Sequence, residues 1–324
     1  LALDLIFKLA AMARTGGDDD ALAFSLWAHH DIIWGPGTAG ERVALTGELV
    51  ELAERADDAE QAHFAAALRW VAMIEQGDPR YLDRFNDYLA KGKGNELRHL
   101  DLTASMDESI VAALTGRFER AEQLVEQLVG RLSEELSEQS DGRRREPHHE
   151  HFRYMLWHHH WALLTLQGRY DELDDVLQRL RDSPHLYAGL PAALTALHRG
   201  DLDAALRHYA DGEPRDRVIE PLWLRFQAEV AAATHDPELC ARARAALLPH
   251  RGRWAVSLFG WDVSGPFDLW LALVDAAEER WSEAIEEATA AYRSADRMRA
   301  RPWSVVARSY LADVLLARGA DGDV

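Results

Sequence analysis

Apolar residues in this chain recur every three or four positions and rarely alternate with polar ones. Phe118, Ala121, Leu124, Val125, Leu128 and Leu132 make one such stripe. Tyr170, Leu173, Val176, Leu177 and Leu180 make a second, and Trp281, Ala284, Ile285, Ala288, Tyr292 and Ala295 a third. That spacing lines up side chains on one face of an α-helix. Applied along the chain, it predicts helices over 2–14, 18–34, 39–56, 58–76, 79–91, 96–115, 117–138, 148–167, 169–182, 188–199, 201–211, 217–234, 236–248, 265–279, 281–298 and 302–318. Essentially no sheet is expected. Two interruptions stand out: 137–147, polar and rich in arginine, and 249–265, rich in Gly and Trp.

A short signature recurs between these stripes. It reads Gly116-Arg117-Phe118-Glu119-Arg120-Ala121, then Gly168-Arg169-Tyr170-Asp171-Glu172-Leu173, then Gly200-Asp201-Leu202-Asp203-Ala204-Ala205. Arg280-Trp281-Ser282-Glu283-Ala284-Ile285 is a version without the glycine, and His235-Asp236-Pro237-Glu238-Leu239 a weaker one. Glycine can close a helix in the left-handed conformation. An acidic residue then favours the positive end of the next helix, and the aromatic and the small Ala pack back on the preceding one. A single amphipathic helix cannot bury its stripe alone, so stacked pairs are required. Signatures fall roughly 30–50 residues apart, around the 34-residue tetratricopeptide (TPR) period. The expected fold is all-α: one TPR-like superhelix of about eight antiparallel helix pairs over 1–324, with a possible subdivision near 137–147.

Composition narrows the function. The 324 residues carry 36 Lys and Arg against 55 Asp and Glu, a formal charge of −19. Such a chain repels phosphate backbones, so direct nucleic-acid binding is not expected. Arg143, Arg144 and Arg145 form a basic run that Glu146 ends, read as a solvated loop. Cys240 is the only cysteine, which leaves no disulfide or cysteine-based zinc site and fits a reducing cytoplasm. No apolar run approaches the roughly 20 residues needed to cross a bilayer. The first residue is Leu1, and the chain reads as a piece of a longer protein.

Several segments invite a chemical reading. Gly35-Pro36-Gly37-Thr38-Ala39-Gly40 has phosphate-loop glycine spacing, but Glu41 and Arg42 follow it, and it reads as an interhelical loop. His148, His149, His151, His158, His159 and His160 crowd one helix. No H-E-x-x-H motif or accompanying carboxylates are present, so the cluster reads as surface or packing histidines, with no metal and no cofactor. The runs Asp18-Asp19-Asp20, Asp57-Asp58 and Asp171-Glu172-Leu173-Asp174-Asp175 could chelate magnesium in an all-α enzyme of terpene-cyclase type. Each falls at a predicted helix start, where capping explains it. The apolar interval 253–267 is unusual for a connection. Its aromatics Trp254, Phe259, Trp261 and Phe267 are candidate ligand or partner contacts, a lid at the edge of a concave face. The other reading is a hydrophobic plug filling a repeat junction, which burial alone would justify.

Longer stretches carry a resemblance. They are Arg280-Trp281-Ser282-Glu283-Ala284, Met298-Arg299-Ala300-Arg301-Pro302-Trp303 and the run Leu311–Gly319. Trp34-Gly35-Pro36-Gly37-Thr38 with Glu41-Arg42, Glu51–Ala56 and Leu248–Arg253 agree with them. Together they resemble the C-terminal TPR region of bacterial, especially actinobacterial, STAND-type ATPase transcription regulators (large LuxR-type activators and antibiotic regulatory proteins). The resemblance implies a cytoplasmic, non-catalytic sensor arm. It would receive a small-molecule inducer or a protein partner and bias an ATPase module upstream in the parent chain. The alternatives are a stand-alone TPR scaffold that binds a peptide or protein, and an all-α metal-dependent enzyme.

Overall fold

The structure, a computed structural model, describes residues 2–92, 98–138, 147–183, 185–212 and 216–320. Sixteen α-helices occur among them. They are α1 (Ala2–Gly16), α2 (Asp19–Ile32), α3 (Ala39–Arg55), α4 (Ala59–Glu75), α5 (Tyr81–Gly92), α6 (Arg98–Leu114), α7 (Phe118–Glu138) and α8 (Pro147–Leu166). There follow α9 (Leu173–Arg181), α10 (Gly189–His198), α11 (Leu202–Ala210), α12 (Glu220–Thr234), α13 (Pro237–Leu247), α14 (Phe267–Ala277), α15 (Trp281–Arg297) and α16 (Arg301–Arg318). The protein is all-α, and each helix expected from the periodicity is present in the expected order. Among the described residues no helix is long and apolar enough to cross a membrane.

The recurring signature is a recurring turn. At eight junctions a residue with left-handed φ is followed by one whose N–H bonds the carbonyl five residues back. Gly116 (φ 81°) precedes Arg117 N–H on Ala112 O at 2.8 Å, and Gly168 (φ 70°) precedes Arg169 N–H on Leu164 O at 3.0 Å. This 6→1 bond marks a Schellman closure, which satisfies carbonyls the helix leaves orphaned. Gly17, Gly77 and Gly200 occupy the same position, but so do Asp57 (φ 56°), Glu279 (φ 58°) and Arg299 (φ 55°). At three of the four junctions where the next residue is aspartate it caps the following helix: Asp18 accepts from Ala21 N–H, Asp58 from Gln61 N–H and Asp201 from Ala204 N–H, at 2.9–3.0 Å. The acidic runs at 18–20 and 57–58 are thus helix starts. The run at 171–175 opens on a 3-10 turn, Tyr170–Glu172, with no side-chain cap.

The chain parts into two compact units, 1–104 and 105–324. In the first, Leu22, Leu26, Leu45, Leu49, Leu52 and Ala65 belong to one buried cluster. A buried ion pair joins Arg42 of α3 to Glu75 of α4, with the guanidinium 4.2 Å over Trp34. Arg42 follows the glycine loop of 35–40 and its Nε donates to Thr38 Oγ1 of that loop at 3.2 Å. In the second unit, α12, α14, α15 and α16 pack in succession, and Trp223 and Phe226 of α12 meet His208 and Tyr209 of α11. The basic run Arg143–Arg145 lies outside the described residues, as does most of 137–147.

One expectation needs correction. The interval after α13 is not irregular but contains a two-stranded antiparallel hairpin, β1 (Trp254–Ser257) and β2 (Asp262–Pro266). Ser257 faces Asp262 and Val256 faces Val263, with a bulge between Trp254 and Val256. The hairpin is held to α12 and the segment before it by one side chain and one backbone bond. Ser257 Oγ accepts the Leu222 N–H at 3.0 Å, capping α12, which has no cap of its own, and Leu258 N–H donates to Val218 O at 2.9 Å.

Candidate functional site

In the second unit, α8, α10, α12 and the hairpin bring polar side chains together. Arg225 and Glu229 sit four apart on α12 and so share a face. Arg225 Nε donates to Glu229 Oε1 at 2.7 Å, and His198, the last residue of α10, meets Glu229 Oε2 through Nε2 at 2.9 Å. Burial pushes the Glu229 carboxyl up, but Arg225 and His198 more than offset it and hold it down at about 2. The His198 ring stacks on Tyr170 at 4.9 Å and 11°. The guanidinium of Arg225 lies 4.9 Å over Trp270, and its Nη1 donates to Ser264 Oγ at 3.4 Å.

Asp262 and Ser264 are two apart on β2 and so face the same way. Ser264 Oγ donates to Asp262 Oδ1 at 2.9 Å, and its backbone carbonyl takes the Trp270 indole N–H at 2.9 Å. The other carboxylate oxygen, Oδ2, lies 3.5 Å from His158 Nε2 of α8 and makes no hydrogen bond.

Tautomers in this chain follow from one backbone contact. Tyr187 N–H donates to His185 Nδ1 at 2.9 Å, so that nitrogen accepts and His185 Nε2 carries the proton. His185 Nε2 therefore donates to His158 Nδ1 at 3.0 Å, which leaves the His158 proton on Nε2, toward Asp262. His185 is neutral in this arrangement. Burial, with His158 adding to it, pushes His185 down to about 3. His159 is driven down to about 3 as well, by burial and then by its histidine neighbours; its Nε2 meets Ser109 Oγ at 2.8 Å. Among the cluster residues whose side chains are described, buried His158 ties α8 to the α9–α10 connection and buried His159 ties it to α6, while half-buried His160 stacks on Trp157 of its own helix. His148, His149 and His151 lie outside that set. Among the described residues no three His, Cys, Asp or Glu side chains converge as a metal-ligand group.

These polar residues border a cleft of about 720 Å³. Tyr170, His198, Arg225, Glu229 and Asp262 line it together with Leu197, Trp270, Leu273, Trp303 and Val306. Three atoms of its lining residues are buried without a hydrogen-bond partner: Thr165 Oγ1, Asp262 Oδ2 and Trp303 Nε1. The residues concerned are 7%, 2% and 4% exposed. An unpaired buried polar group costs roughly 1–3 kcal/mol, so such groups concentrate where something else completes them.

The chain matches no protein-family model, and no curated protein matches it.

The four aromatics singled out from sequence sit beside this cleft's hairpin, and none lines the cleft. Trp254 is fully buried and donates to Ser294 Oγ at 3.1 Å; Phe267 is buried against His250 at 5.2 Å between ring centroids. Trp261 is half-buried and meets Phe152 edge-on at 5.6 Å, while Phe259 is 37% exposed. The segment reaches the cleft through Asp262 and Val263 instead. Arg225, Glu229 and His198 were not anticipated. The available signal was a charged pair at i, i+4 inside Pro221–Val230, a stretch too apolar to be a solvated helix face.

Proposed function

We infer that this chain is a non-catalytic, TPR-like sensing module that receives a small-molecule inducer in the cleft between α8, α10, α12 and β2. The observation that supports it is a cleft whose lining residues combine the hydrogen-bonded Arg225–Glu229–His198 group, apolar side chains, and three residues that each bury a polar atom without a hydrogen bond. Its volume falls in the range typical of small-molecule sites. The sequence resemblance supplies the setting, the sensor arm of a bacterial STAND-type transcription regulator whose ATPase module lies elsewhere in the parent chain. Inducer binding would be read out there as a changed ATPase or DNA-binding state. A protein-partner reading draws on a separate observation: Leu5, Met12, Phe24 and Phe64 of the first unit are exposed apolar side chains.

The test is to fill the cleft. Ala232, half-buried on its wall, is replaced by Trp, and a small-molecule collection is screened by thermal shift against both proteins. Compounds that stabilise the wild type should lose their effect on Ala232→Trp, with the unliganded melting temperature little changed. Compounds that stabilise both proteins equally would place the binding site elsewhere and refute the reading.

A further inference from the structure

The charges around the cleft do not balance. Arg225 and Glu229 neutralise one another in a direct 2.7 Å pair. Asp262 has no such counter-ion. Its Oδ1 takes a hydroxyl hydrogen from Ser264, and its Oδ2 lies 3.5 Å from His158 Nε2 without a hydrogen bond. The residue is almost wholly removed from water. A carboxylate in that position is stable only if a cation or strong donor completes it. An anionic ligand would meet two carboxylates and a guanidinium already engaged by Glu229, Ser264 and Trp270. Trp303 Nε1 is a donor without an acceptor. Trp270 and Trp303 stand edge to face at 6.0 Å and 84°, forming an apolar corner on the wall.

Taking the cleft as the binding site, which is the reading above, we propose that its ligand is a small organic amine. The ammonium group pairs with Asp262. A ring or alkyl body packs in the Trp270–Trp303 corner, and an oxygen on the ligand accepts the Trp303 indole N–H. No covalent step is involved.

The test uses three probes of one shape on the full chain at pH 8, above the ordinary imidazole range. They are 2-cyclohexylethylamine, 2-cyclohexylethanol and cyclohexylacetate, titrated by calorimetry with tryptophan fluorescence alongside. The amine should bind at least about ten-fold more tightly than the alcohol, as expected for a charge-assisted contact, and the carboxylate should be weakest. Asp262→Asn should bring the amine to the alcohol's affinity and leave the alcohol unchanged. If that variant does not fold, the ranking on the wild type still decides. Equal or tighter binding of the alcohol or carboxylate would overturn the amine assignment while leaving the cleft as the site. Binding of none of the three would overturn the assignment too, and the Ala232→Trp screen then judges the cleft independently.

Discussion

Acid should loosen the second unit through His185, and the size of the effect can be worked out. Its folded value of about 3 lies below the ordinary 6.5 of an exposed imidazole. The fold therefore favours the neutral ring. That preference is fully present above 6.5 and is lost as pH falls from 6.5 through 3, because the unfolded chain takes up the proton first. At 1.36 kcal/mol per pH unit of difference, His185 alone removes about 2 kcal/mol of stability between pH 7 and pH 5. His159 acts in the same direction. The carboxyl pair Asp268–Glu287 opposes both. Burial, followed by the charge of Asp268, lifts Glu287 to about 7 against the pull of Arg251. Its contribution is present below the ordinary carboxylate range and fades as pH rises through 7, so acidification strengthens it. The total slope of the wild type thus mixes opposite terms, and only a difference isolates the histidine. His185→Asn keeps an acceptor near the Tyr187 N–H and cannot titrate. Urea unfolding followed by circular dichroism at pH 7 and pH 5 should show the variant losing about 2 kcal/mol less than the wild type, whatever its absolute stability. Equal losses in both proteins would mean that His185 is not held neutral by burial, and the tautomer chain built on it would fall.

Two further outcomes follow from the backbone. Glu279 and Arg299 are exposed and left-handed at Schellman positions that glycine fills elsewhere. Glu279→Gly and Arg299→Gly should each raise stability by about 0.5–1 kcal/mol in denaturant melts, the relieved left-handed strain exceeding glycine's extra entropy cost. The reverse change Gly168→Ala, at φ 70° and in open space, should lower it; no loss there would contradict the turn assignment. Gly265 combines φ 82° with a Trp303 ring atom 2.7 Å from where a Cβ would sit. Gly265→Ala should cost about 2–4 kcal/mol as strain and overpacking add. It should also weaken probe binding at the cleft, since Trp303 must move; an unperturbed melt would show that the β2–α16 approach is looser than described.

The helices were readable because their stripes obey one period over many residues, and because five of the eight turns carry glycine, three of them inside the recurring signature. The same turn at Glu279 and Arg299 carries no such mark. There the chain accepts strain that helix packing on both sides outweighs; the Glu279 junction is marked by the glycine-free signature from Arg280 and the stripe from Trp281, and the Arg299 junction only by the helix that follows it. The hairpin was not readable as strand. Trp254–Ser257 is buried along its whole length, so the apolar–polar alternation that identifies a half-exposed strand is missing. Four or five apolar residues without alternation look the same as a packed loop.

The site posed a different difficulty, since its chemistry arises from pairings across the sequence. Arg225 finds Glu229 locally but reaches Ser264 and His198 at separations of 39 and 27 residues. No spacing rule reports such contacts. The aromatics of 253–267 are conspicuous in the sequence, and the segment does border the cleft through Asp262 and Val263. Yet the burial of Trp254 and Phe267 locks the hairpin in place, and that rigidity is what sets Asp262 and Ser264 against α12 and α8. Large apolar side chains were legible as mass needing burial. The polar residues between them were not, because their hydrogen bonds, and the one that Asp262 Oδ2 leaves unmade, follow from the fold and not from any local spacing.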